Sequence, residues 1–412
     1  MQRIVGADRR NPAIDRLAAA AALCAAPLSI AIGEIFLAVA VVSRLVRLAR
    51  HRERLAVPRL HWFWLVWAAL EVVVWLHSPD RGAGIGEMRH LLLIGALLLT
   101  FPCLNRPADR MRVWLLVLAT STIGSGALIV DFIARLARYH RELAMGGDPA
   151  FYLRSGGLLH HWMVYATVEA IVFAGLLEFR QAHGHRRRWL TPALTIHCLA
   201  ILLSLTRSLW FACLIVCAIH LAWRRSKWLW AIPLAPAVVF LLAPGPIHQR
   251  VTDSLQSDYY SNAERLEMWR VGWRMIRRRP VFGVGPGRVE QLYPRYLRPG
   301  ELLPDYHGHL HNNAIQLAAQ FGLVVLAAAI VFLMLLVWDL ALRCRRAPSA
   351  GERLLCRAGL LALVGFLIMG MTDYTYGHSL GLILLTFAAI PPFSSSERSS
   401  AVRNRLLTTV DW

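Results

Sequence analysis

Twelve apolar stretches follow one another along the chain, separated by short polar connectors rich in Arg. They fall at about 13 to 28, 30 to 48, 60 to 78, 88 to 104, 113 to 134, 158 to 179, 189 to 205, 208 to 223, 228 to 243, 313 to 341, 355 to 372 and 378 to 393. A helix needs about 20 apolar residues to cross the hydrocarbon layer, and within that layer it must satisfy its own backbone groups. The pattern therefore predicts an all-α polytopic membrane protein with about twelve transmembrane helices. Nine of them fall in residues 1–243 and three in 313–393, with a tail at 394–412. Pro27 and Glu34 interrupt the first long apolar run and divide it in two.

Residues 244–312, between the ninth and tenth stretches, give the only segment with room for a folded element outside the membrane. An amphipathic helix is predicted over 262–279. Ser261 can cap it, Glu264 sits where a capping box places its acid, and Leu266, Trp269, Trp273 and Ile276 form an apolar stripe that stops before Pro280. This helix is expected to lie on the membrane surface, apolar side down. The VFGVGPGRVE that follows, residues 281–290, has the glycines of a phosphate loop, but no Lys-Ser/Thr and no parallel βα unit accompany them. A tight turn returning the chain to the membrane fits better.

Composition agrees with the pattern: 57% of residues are hydrophobic and mean hydropathy is +0.46, beyond what a soluble domain carries. Arg3, Arg9, Arg10 and Arg16 precede an apolar stretch with no small-residue cleavage site, so the first segment is expected to stay in the membrane. The net charge of +20 is spread over the connectors instead of gathered on one module, which argues against nucleic acid. Of the 45 basic residues all but Lys227 are Arg, and 28 lie in the N-terminus, the C-tail and the connectors 44–59, 104–112, 180–188, 224–227 and 343–357. The positive-inside rule makes those segments, and both termini, cytoplasmic. Ten of the other cations lie in 244–312. The seven cysteines show no paired spacing and read as small core residues without a disulfide framework.

Polar residues at the ends of the apolar stretches are the candidates for chemistry. Asp305 to Asn313 reads DYHGHLHNN, with His307, His309 and His311 at alternate positions. Two readings stand: three ligands on one face of an extended segment, or a single functional histidine with two neighbours. Arg207 interrupts two apolar runs at their outer ends, where a cation requires an anchor or a partner. Arg265 sits near the positive end of the amphipathic helix, a place that favours a bound anion or a neighbouring carboxylate. Asp373, Tyr374, Tyr376 and His378 lie together in the last outer turn, either orienting these arginines or capping helix ends. Glu71 stands in mid-span, either protonated or paired with an Arg of another span.

His311-Asn312, nine residues, then Gly322 resembles the signature that opens the tenth span of bacterial O-antigen ligases, within the O-antigen ligase and polymerase superfamily. RLEMWRVGWRMIRRRPVFGVGPG and HLHNNAIQLAAQFG are similar to that family's long loop and following helix, and the TRS around Arg207 also fits. The likeness is sharp over about 200 to 325. Val325 stands where the family often has Gly, Thr or Tyr. The resemblance implies a twelve-span inner-membrane glycosyltransferase whose loop 244–312 and active site are periplasmic. It implies as donor an O-antigen on undecaprenyl diphosphate, as acceptor lipid A-core, and no cofactor or metal. Carried over, the catalytic residues are His311, Arg265 and Arg207. Arg270, Arg274, Arg288, His309, Asn312, Asp373, Tyr374 and His378 are substrate-binding candidates. His311 would serve as base in an inverting displacement while guanidinium groups grip the diphosphate. A polymerase using the same donor is the alternative, and Arg135 to Gly146 and Arg274 to Gly285 match a spacing ascribed to it. A flippase would place polar sites near mid-membrane in both halves.

Overall fold

The structure, a computed structural model, describes residues 14–51, 55–104, 106–142, 152–242, 245–256, 260–301, 303–304, 306–390 and 394–395. It is all helical apart from a two-residue antiparallel bridge between Leu55–Ala56 and Ser394–Ser395. In chain order the helices before the long loop are α1 Ile14–Ala25, α2 Ile30–His51, α3 Arg59–His77, α4 Arg81–Thr100, α5 Pro107–Glu142, α6 Trp162–His183, α7 Leu190–Leu203, α8 Arg207–Trp223 and α9 Leu234–Leu242. The loop carries α10 Gly245–Leu255, α11 Tyr260–Arg278 and the single turn α12 Val289–Leu292. After it come α13 Asn313–Phe321, α14 Leu323–Arg346, α15 Ala350–Met369 and α16 Ser379–Ala389.

Five helical segments are long and apolar enough to cross a membrane: Arg59–His77, Arg81–Leu104, Pro107–Tyr139, Trp162–His183 and Leu323–Arg346. Leu190–Leu203, Arg207–Trp223 and Ser379–Ala389 are apolar but shorter. The other expected spans, 13–28, 30–48, 228–243 and 355–372, fall on α1, α2, the α9 region and α15. These are membrane-protein features, with α6 at the centre of the bundle. Its apolar window is 83% buried, against 28% for α14, and it packs on α5, α7, α8, α15 and α16.

Three buried carboxylates of the bundle are each paired with a histidine. Glu71 of α3 accepts from the Trp67 indole at 2.6 Å and meets His90 of α4 at 2.7 Å. Its partner is thus a histidine, where the sequence reading offered protonation or an Arg. Glu169 of α6 meets His197 of α7 at 2.6 Å, with Ser125 of α5 touching both. Glu178 of α6 meets His220 of α8 at 2.7 Å. A carboxylate left alone in so apolar a setting is costly, and each pair joins two helices by removing that cost.

The expected tenth span breaks in two at Gly322. This residue has φ +89°, and a Cβ there would stand 1.9 Å from the Val281 carbonyl oxygen, so only glycine fits. Leu323 N–H donates to Pro280 at 2.7 Å, and Val284 and Gly285 N–H donate to the last carbonyls of α13. The glycine-rich turn after α11 thereby caps α13 with its own backbone.

A second core lies under this turn, formed by Met268, Val271, Met275 and Ile276 of α11 with Leu310, Ala318 and Ala319. α11 buries Val271 and Met275 together with Ile276 of the expected stripe, while Leu266 and Trp273 of that stripe are exposed. Ser261 is inside α11, not before it. Asp305, Gly146 and residues 396–412 of the tail lie outside the described residues.

Candidate active site

Two loops are laced together to make the site. Asn312 caps α13 by accepting from Ile315 N–H at 3.0 Å, and its amide donates to the Met371 carbonyl at 2.7 Å. Asn313 N–H donates to the Gly370 carbonyl at 2.8 Å, and the Asn313 side chain donates to Thr375 at 2.8 Å. These bonds fix residues 311–313 against 370–375.

His311 is held between them with φ +46°, a left-handed backbone that a β-substituted residue adopts at a cost of about 1 kcal/mol or more. The turn aims its ring at Asp373, and Nδ1 lies 3.2 Å from Asp373 Oδ1. With Nδ1–H donating to the carboxylate, Nε2 carries the lone pair. Asp373 is 1% exposed and its Oδ2 is buried without a hydrogen-bond partner. Burial raises this carboxyl, but the bond to His311 and the neighbouring His378 and His309 outweigh that, leaving it below its ordinary range.

His309 accepts from His311 N–H on Nδ1 at 3.3 Å, with the two rings edge to face at 4.1 Å. Burial, then the adjacent His311, pushes its pKa down to about 3, so it is neutral at physiological pH. His161, at the start of α6, faces the same group: burial lowers it, Asp373 raises it and His311 lowers it. His309, His311 and Asp373 also present ligand atoms within 4.8 Å of one another, a spacing a metal ion would accept.

Cations converge beside Asp373. Arg265, in the second turn of α11, forms no hydrogen bond or salt bridge among the described residues. Its pKa falls to about 10, through burial first and then the charges of Arg207 and Arg250, while Asp373 opposes the fall. Arg207 opens α8 just after Leu205, whose φ is +51°. Arg250 of α10 is 1% exposed and donates from Nε to the Leu205 carbonyl at 3.2 Å. Arg207 and Arg250 lie close enough to depress Arg265, and a ligand of opposite charge would relieve that repulsion.

The other candidates have other partners, some of them beside this group and some far from it. Arg274 holds both Glu301 oxygens at 2.6 Å and Glu267 at 3.0 Å, so its guanidinium ties the loop to itself. Arg270 is exposed beside Glu267. Arg288 lines a separate cavity. Asn312 is a helix cap, Tyr374 donates to Glu87 at 2.9 Å, and His378 lies 3.0 Å from Thr167. His307 turns away to the Pro304 carbonyl at 3.1 Å. Sequence reasoning missed Arg250 and His161. The first reads as one more loop cation, and the second as an interfacial histidine 150 residues before its neighbour His311.

Under the two laced loops an apolar cavity of about 330 Å³ runs among α3, α14, α15 and α16, from Asn312 and Met371 to Thr386 and Ile390.

A comparison with curated proteins found no match. A protein-family model described as O-antigen ligase matches residues 192–330, about a third of the chain, taking in Arg207, Arg250, Arg265, His311 and Gly322 while leaving out His161 and Asp373. The segment that carries the histidine and the three arginines is thus similar to the O-antigen ligase family.

Proposed function

We propose that the protein is a periplasm-facing, inner-membrane ligase that transfers a glycan from a polyprenyl diphosphate, undecaprenyl diphosphate in the family's chemistry, to a lipid A-core acceptor. The observation that carries the reading is the His311–Asp373 pair beside the Arg207, Arg250 and Arg265 group. The bond to be broken joins an anomeric carbon to a diphosphate oxygen. The acceptor hydroxyl gives its proton to His311 Nε2 as its oxygen attacks that carbon from the opposite side, and the diphosphate departs with the bonding pair. Asp373 meets the charge that forms on the imidazole, as the buried acid does in a catalytic triad. The arginines meet the charge that forms on the leaving group. Backside attack inverts the anomeric centre.

The apolar cavity below the site supports the donor assignment, because it gives a prenyl chain a dry path away from the diphosphate. A metal is not part of the proposed reaction. His311 Nδ1 faces Asp373 and His309 Nδ1 already accepts a hydrogen bond, so the lone pair left for chemistry is His311 Nε2. Against a polymerase, one of the two spaced arginines, Arg274, is tied to Glu301.

Transfer in proteoliposomes tests the assignment. Arg265→Lys keeps the charge and loses the planar fork, and should lower kcat by about 100-fold, while wild-type activity should survive chelation. Full activity in Arg265→Lys sinks the diphosphate role. Loss on chelation with rescue by a divalent ion makes His309, His311 and Asp373 ligands and His311 no longer the base.

A further inference from the structure

At the opposite end of α11 from Arg265 lies a second cavity, of about 550 Å³, lined by Arg278, Arg279, Arg288, Arg295, His77 and Tyr296 among others. At 1.5 Å rise per residue it is about 20 Å along the helix from Arg265. Neither His311, Asp373 nor the three site arginines line it, and no carboxylate does. None of its four arginines forms a salt bridge among the described residues. Arg278 lies over the Tyr296 ring at 5.8 Å, and Arg288 donates to the Val284 carbonyl at 3.1 Å while its Nε is buried without a partner.

The carbonyl end of α11 favours cations, which accounts for Arg278. It does not account for Arg288 and Arg295, which come from the following turns and converge on the same space. Four like charges in one cavity repel unless an anion occupies it. Val74, His77 and Ser78, at the end of the apolar helix α3, also line it, and Phe282 of the lining and the adjacent Val281 are half exposed. The cavity thus combines an anion site with the end of a membrane-crossing helix and an apolar rim, the depth at which lipid phosphates lie.

We propose that this cavity binds the phosphate-bearing headgroup of a membrane lipid, as a site separate from the one at His311. Each arginine near a membrane surface contributes roughly fivefold to such binding. The probe is dioctanoyl phosphatidic acid titrated onto the full-length protein in a neutral detergent. Dioctanoyl phosphatidylcholine and inorganic phosphate serve as comparison arms, and melting temperature without lipid checks folding. Phosphatidic acid should bind more tightly than both comparison ligands. Arg288→Gln/Arg295→Gln should weaken it by about 25-fold, Arg279→Gln alone by about fivefold, and Arg265→Lys should leave it unchanged. Arg279 is exposed, so its variant decides the matter if the double variant fails to fold. Undiminished binding in the arginine variants overturns the proposal. So does inorganic phosphate binding as tightly as the lipid, which makes the cavity a free-anion site, or equal loss in Arg265→Lys, which assigns the probe to the His311 site.

Discussion

In the proposed reaction the base must keep its lone pair aimed outward, and two features of the structure would hold His311 in that way. The left-handed backbone turns the ring toward 370–375, and Asp373 accepts a hydrogen bond from Nδ1–H. Asp373→Asn keeps the shape but can offer its amide N–H to Nδ1, which favours the tautomer with the proton on Nε2. Its kcat is expected to fall by about 10²- to 10⁴-fold while KM for the donor and melting temperature stay near wild type. A variant that loses stability together with activity would show that Asp373 ties the loops and does not tune the base. At this scale the sequence was informative about residues and silent about partners. His311 stood in a motif, and Arg265 and Arg207 stood out because a cation in each place is costly. Asp373 is 62 residues from His311, and only folding brings the carboxylate to the ring. The same holds for Arg250, which is reached through the Leu205 carbonyl.

The elements show what hydropathy can miss. Residues 313–341 are apolar throughout and read as one helix, yet the chain stops at Gly322 and restarts at Leu323. The break depends on one φ value and on the Val281 carbonyl, neither of which changes the apolar pattern. It matters for function because α13, freed from α14, can be capped by Asn312 at one end and by the 280–285 turn at the other. Gly322→Ala would meet that carbonyl and a positive φ together, and should cost about 2 kcal/mol or more, seen as a lowered melting temperature in detergent. An unchanged melting temperature would mean that the turn yields easily and does not hold the loop. The helical pairs were half legible. Glu71 was visible as an oddity, but its partner His90 looked like an ordinary position near the start of the apolar stretch 88 to 104, and Glu169 and Glu178 drew no notice in a span that met the apolar criterion without them.

For the whole molecule, the apolar pattern was enough to give an all-helical membrane protein, while the number of crossings depends on helices that are short or interrupted. α9 is only Leu234–Leu242, preceded by a tight turn at Lys227–Ala231. The Arg asymmetry still makes a definite expectation about sides. A reporter active only in the periplasm should work when fused in 244–312 and be silent in 180–188 and 343–357. Activity in either short connector would reverse the orientation and move the site to the cytoplasmic face. On the proposed function, that orientation puts the His311–Asp373 pair on the periplasmic side, with the apolar cavity that starts at Asn312 and Met371 running into the helices below it.

The most direct test is a transfer assay on purified His311→Ala, run beside donor binding and thermal melting on the same sample. The base assignment predicts that transfer falls by at least about 100-fold while the protein melts near the wild-type temperature and still binds the polyprenyl-diphosphate-linked glycan, whose affinity comes from the arginines and the apolar cavity. A stable His311→Ala protein that binds donor and retains substantial transfer would contradict it.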